Sequence, residues 1–157
     1  MAAPGISTVG AIFSYAVETT AGTKPSTWTK LTRINAIGGI NIDTEEIDAS
    51  ALEDEIERSI AGRGSTGGNF TVTINVTNDT ITEWETLISA AATAKTASKQ
   101  TWFQTSFPNL TKSYFVVAEP PAKIPQPEVA QNGLLTAEMT LTINEYKGLD
   151  TKVAPTP

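Results

Sequence analysis

The sequence predicts a mainly β domain: two packed antiparallel sheets in a sandwich or barrel-like arrangement, with one flanking α-helix, a long loop and terminal arms. Three observations carry this. Two stretches alternate apolar and polar residues with the period of two of a half-buried strand. The first runs from Asn69, with Phe70, Val72, Ile74 and Val76 on one side and Thr71, Thr73, Asn75 and Thr77 on the other. The second sets Leu135, Ala137, Met139, Leu141 and Ile143 against Thr136, Glu138, Thr140, Thr142 and Asn144. Only one segment, about 80–95, has helical spacing.

In chain order, residues 1–10 form an N-terminal arm, and Ala11 to Val17 is the first candidate strand. Gly22, followed by Lys24 and Pro25, marks a turn, and Trp28 to Ile34 is a second strand. Gly38 and Gly39 interrupt the chain before a third strand, Ile40 to Asp48, and a fourth is expected at Ile56 to Ile60. The segment of about 43–68 reads as a long acidic loop. The alternating strand from Asn69 leads into the helix, where Thr80 with Glu83, or Thr82 with Glu85, fits a capping box. Ile81, Trp84, Ile88 and Ala91 share its apolar face. Thr101 to Phe107 and Ser113 to Glu119 follow as strands. Tyr114 to Ala118 is apolar on both faces, so its second side is expected to lie under a helix or another subunit. Pro120, Pro121, Pro125 and Pro127 make the next segment an extended connector. After the second alternating strand, about 148–157 is a C-terminal arm.

A length of 157 residues matches one domain with a self-sufficient core. With no cysteine and no histidine, disulfides, thiolate nucleophiles, Cys/His zinc sites and imidazole bases are excluded. No apolar run approaches the roughly 18 residues of a membrane span, and the N-terminus has no basic signal-like region. The expectation is an intracellular, soluble product. The sequons at Asn69, Asn75, Asn78 and Asn109 are therefore set aside. The net charge of −6 argues against ordinary nucleic-acid binding. Eight acids (Asp43, Glu45, Glu46, Asp48, Glu53, Asp54, Glu55 and Glu57) fall within 15 residues with no base among them, leaving the rest of the chain at +2.

Gly62, Gly64 and Gly67 in GRGSTGG have the spacing of a dinucleotide fingerprint, which works only between a strand and a helix. A strand follows here, so the glycines read as a turn. The acidic run does not match a calcium-binding loop. No carboxylate pair is singled out for glycoside hydrolysis. Trp28, Trp84 and Trp102 could form a sugar-stacking platform, although Trp84 belongs to the helix's core face. The polar strand faces are compatible with a solvated surface, a polar channel or a subunit contact. No cofactor is expected.

Four stretches together resemble the major tail tube proteins of long-tailed, sheathless bacteriophages: YAVETTAGTKPSTWTKL (15–31), INIDTEEIDASALEDEIERSIAGRGSTGGNF (40–70), TITEWETLISAAATAK (80–95) and LLTAEMTLTINEY (134–146). The resemblance implies a single tail-tube domain over 1–157 that assembles into rings, typically hexameric, stacked into a hollow tube for DNA. It implies a non-enzymatic protein of the virion tail, made in the host cytoplasm and without membrane contact. Its partners would be copies of itself, a tape measure protein and tail-end proteins, with DNA passing transiently. Thr71, Thr73, Asn75, Thr136, Glu138, Thr140 and Thr142 become candidate lumen residues. The eight acids, with Arg58 and Arg63, become a candidate inter-subunit or inter-ring arm. The alternative is a monomeric β-sandwich binding module, for example for carbohydrate, on a virion or cell surface.

Overall fold

The computed structural model describes residues 4–155. Nine strands and one helix follow in the order β1 (Ile12–Val17), β2 (Thr29–Leu31), β3 (Ile34–Ile37), β4 (Asp43–Asp48), β5 (Ser59–Ser65), β6 (Asn69–Asn75), α1 (Asn78–Thr96), β7 (Thr101–Ser106), β8 (Lys112–Glu119) and β9 (Thr136–Thr151). They form two antiparallel sheets, one of seven strands in the order β2-β1-β7-β8-β9-β6-β3 and one of two strands, β4-β5. The expected two sheets with one flanking helix are present, very unequally divided.

The long β9 organises the body. Its first half pairs with β6, from Asn75↔Thr136 to Asn69↔Thr142, and its second half pairs with β8, from Glu119↔Thr142 to Lys112↔Thr151. The β8–β9 ladder shifts register twice, between Phe115 and Val116 and between Val117 and Ala118. Bulges bend a strand and increase its twist, and the sheet turns over on itself. One core cluster accordingly joins Phe13, Tyr15 and Phe103 of one half to Phe70, Val72, Ile74 and Met139 of the other. The two edges, β2 and β3, are not paired to each other, so the barrel stays open.

The alternation pattern predicts these cores well. On β6 the burial follows eBiBiBi, with Phe70, Val72 and Ile74 inside, and on β9 Ala137, Met139 and Leu141 are inside. Leu135 lies just before β9 and is 43% exposed. The doubly apolar β8 is explained differently from the expectation. Phe115 and Val117 pack into a second cluster with Ala16, Trp28 and Trp102, with Val153 against it. The chain's own turn and C-terminal segment cover that side, because the Trp28 indole donates to the Pro25 carbonyl at 3.0 Å and Gln104 clamps Val153 through both of its amide atoms.

Other boundaries also moved. The expected strand Trp28 to Ile34 is two short strands, broken where Arg33 takes a φ of 54°. The C-terminal arm begins later than expected, since β9 continues to Thr151. The arm is docked, with Lys152 Nζ donating to the Phe107 carbonyl at 2.9 Å; the arm ends 1–3 and 156–157 lie outside the described residues.

The helix starts at Asn78, capped by Thr77, whose hydroxyl accepts from the Thr80 N–H while the Thr80 hydroxyl accepts from the Thr77 N–H. Neither expected capping box forms. Glu83 instead accepts from the Thr32 N–H (3.1 Å) and hydroxyl (2.8 Å), tying α1 to the corner between β2 and β3. The buried stripe is Thr80, Trp84, Leu87 and Ala94, with Ile81, Ile88 and Ala91 at its margin. Trp84 and Leu87 complete the main core.

Candidate assembly surfaces

All seven candidate lumen residues lie on one side of the β6–β9 ladder. The core residues pair as Phe70↔Leu141, Val72↔Met139 and Ile74↔Ala137, so the intervening pairs Thr71↔Thr140, Thr73↔Glu138 and Asn75↔Thr136 face the other way, with Thr142 opposite Asn69. Glu138, Thr140 and Thr142 are exposed, and the other four are partly buried. Asn35 on the neighbouring β3 extends the surface, its amide donating to the Asn75 side chain at 3.0 Å. Sequence reasoning missed Asn35 because nothing in the pattern pairs β3 with β6. The resulting surface is hydroxyl- and amide-rich, with Glu138 as the one charge among these eight residues.

The acidic segment is a projecting two-stranded ribbon. β4 carries Asp43, Glu45, Glu46 and Asp48, and every residue of that strand is exposed. Glu53, Asp54, Glu55, Glu57 and Arg58 lie at the tip, and Arg63 is on β5. The expected strand Ile56 to Ile60 gives way to Ser59–Ser65, which continues through two of the glycines. Among the described residues the ribbon's one ion pair is Arg58 with Asp54, at 3.2 Å. Four of the carboxylates are spread along roughly 20 Å of β4 and four lie at the tip, and no group of three gathers as metal ligands among the described residues.

Backbone and side-chain bonds hold the tip. Ala49 N–H donates to the Arg58 carbonyl (2.8 Å), Arg58 N–H to the Ser50 hydroxyl (2.8 Å), and Ala51 N–H to the Asp54 carboxylate (2.8 Å). Hydrogen bonds from the Ser50 backbone and hydroxyl hold the Asp48 carboxyl below its ordinary value. On this hydrogen-bonded tip Leu52 and Ile56 are 110% and 80% exposed.

GRGSTGG has no phosphate-binding geometry. Gly62 and Gly64 are inside β5, Gly67 and Gly68 turn the chain with φ of 82° and 85°, and β6 follows in place of a helix. The strand glycines serve packing across the ribbon. A Cβ on Gly62 would stand 3.1 Å from Ile47 Cδ1, and one on Gly64 would stand 2.8 Å from Ile42 Cγ2. Ile47 and Ile60 are cross-strand partners. The ribbon therefore has an apolar side that the charge-based reading passed over, although the isoleucines stand in plain sequence among the acids.

The open barrel leaves an apolar cleft of about 720 Å³ beside the root of the ribbon, bordered by Gly38, Gly39 and Ile40. Ile34, Ile37, Phe70, Phe107, Tyr114 and Tyr146 line it. Phe107 and Tyr114 meet edge to face at 6.4 Å. Burial, and then the neighbouring Tyr114, push the Tyr146 hydroxyl above its ordinary value. The tryptophans form no platform: Trp28 and Trp84 are 0% exposed and Trp102 is 5%.

No protein-family model matches this chain, and no curated protein matches it. Among solved structures, its fold is similar to a chain of the anti-feeding prophage (AFP) baseplate, determined by cryo-EM and 6-fold symmetrised, with a TM-score of 0.54 at 11% identity. The likeness covers 98% of both chains.

Proposed function

We propose that the chain is a structural subunit of a phage-tail-type particle, a single tail-tube domain over 1–157 that forms hexameric rings stacked into a hollow tube for DNA. The observation that carries the reading is the end-to-end likeness to a chain of a 6-fold symmetrised baseplate. The Thr/Asn face of β6 and β9 would line the channel. A wall with no lysine or arginine among its facing residues neutralises no phosphates, so DNA would meet little retention there. The acidic ribbon would reach a neighbouring subunit, and its seven carboxylates without an ion pair among the described residues would meet basic groups of that neighbour. The protein would act without catalysis in the virion tail, after synthesis in the host cytoplasm, beside tape measure and tail-end proteins.

The rival carbohydrate-binding monomer finds support only in the aromatic cleft, since the tryptophans are buried. A single cysteine at position 140, in a chain that has none of its own, separates the readings. In assembled protein Thr140→Cys should react with a small maleimide and be protected from a polymer-linked one, whereas the dilute subunit should react with both. Equal reaction of assembled protein with both reagents would place this face outside.

A further inference from the structure

Among the described residues, two apolar features stand without a partner and match each other. One is the cleft between the β3 edge and the β7–β8 side of the open barrel, whose walls include Phe107, Tyr114 and Tyr146. The other is the ribbon tip, where Leu52 and Ile56 stand exposed on a loop tied down by the Ala49, Ala51 and Arg58 backbone bonds. The hydrogen bonds at the tip limit the backbone freedom that would be lost when these exposed apolar side chains dock.

The geometry points to a heterologous contact in which the ribbon tip of one copy inserts Leu52 and Ile56 into the cleft of a second copy. This rests on the reading of the chain as a self-assembling subunit and names the socket its ribbon uses. The tip cannot readily serve its own cleft. The ribbon leaves the body at Gly38, Gly39 and Ile40, which border that cleft, and its strands carry the tip about 20 Å away.

Charge agrees with a second copy as occupant. The tip brings Glu53, Glu55 and Glu57, none of which has an ion pair among the described residues. Around the cleft lie Arg33, next to Ile34, Lys112, two residues before Tyr114, and Lys152, which donates to the Phe107 carbonyl. None of these three bases is in an ion pair among the described residues, while the nearby acids Glu145 and Asp150 are already paired with Lys147 and Lys24. A tip-to-cleft contact uses different surfaces on the two copies, so it repeats from subunit to subunit and either closes a ring or extends a filament.

The test mixes two single-cysteine variants, Leu52→Cys and Tyr114→Cys, under assembling conditions and adds a short bis-maleimide. Sedimentation of the same samples reports assembly. The contact requires a covalent dimer in the mixture and much less in either variant alone. Assembled material without the cross-link would overturn the socket while leaving self-assembly standing. A chain that stays monomeric at every concentration would overturn both. A cross-link inside one dilute chain carrying both cysteines would also overturn the contact, by showing that the tip folds onto its own cleft. As a second measurement, Leu52→Ser with Ile56→Ser should raise the concentration needed for assembly at least about tenfold, with the melting temperature of the subunit little changed. Unchanged assembly would count against the socket.

Discussion

If the ribbon docks on a neighbouring copy as proposed, with its apolar side covered there, replacing its cross-strand isoleucines, Ile47→Thr with Ile60→Thr, should separate folding from assembly. The two residues face each other across β4 and β5 and are 47% and 58% exposed. Fully burying such a side chain is worth about 1.5–3 kcal/mol, so removing the exposed half from water in an assembly contributes roughly 0.7–1.5 kcal/mol each, or about 1.5–3 kcal/mol for the pair. At about 1.4 kcal/mol per decade, the concentration needed for assembly should rise roughly 10- to 150-fold. The subunit should tolerate the change. Threonine keeps the β-branched shape favoured in strands, and an exposed cross-strand pair contributes only about 0.2–1 kcal/mol, worth a few degrees of melting temperature at most. Sedimentation velocity over a concentration series, beside thermal melting of the dilute protein, measures both quantities. Assembly at the unchanged concentration by a double variant of unchanged melting temperature would refute the argument that this side of the ribbon is an interface.

Three further outcomes concern the stability of the single chain. Gly38→Ala should destabilise it by about 1–3 kcal/mol in a denaturant titration, because the new Cβ would lie 2.9 Å from the Thr71 carbonyl oxygen and 3.1 Å from its nitrogen, whereas Gly39→Ala, with nothing within 4 Å, should stay within about 0.5 kcal/mol of the parent. Thr77→Ala removes the hydroxyl that accepts from the Thr80 N–H and should cost about 1 kcal/mol by the same assay. The Asp150 carboxyl is held below its ordinary value, first by the Thr151 N–H and then by Lys24. Its stabilising effect is thus present above the unfolded-state value of about 3.9 and is lost as pH falls through the folded value. Asp150→Asn should flatten that acid limb of the melting-temperature profile.

The core was legible where periodicity and geometry coincide. On β6 and the first half of β9 each second residue enters the core, so the sequence pattern named both the buried set and the polar surface behind it. The helix was legible as an element but not in its cap, because two threonines form the box and the expected partner, Glu83, is engaged by Thr32 from another part of the fold. The two-faced burial of β8 was correctly anticipated, but its cover was not. A neighbouring subunit and the chain's own Trp28 and Val153 leave the same apolar signature in the strand. The ribbon's first strand was legible within Ile40 to Asp48, but its second, expected at Ile56 to Ile60, was obscured by the glycines of Ser59–Ser65, which reduce strand propensity in the sequence yet make room for Ile42 and Ile47 in the structure. The cleft depends on the sheet turning over at β9, and no local pattern encodes where β3 comes to rest.

Negative-stain electron microscopy of the concentrated protein decides whether the chain builds the proposed hollow, ring-based tube. Stacked rings with a stain-filled channel and six-fold end-on views, dispersing on dilution, are the expected result. Single-subunit particles at every concentration, joined by a sugar-dependent rise in melting temperature, would contradict it in favour of a monomeric binding module.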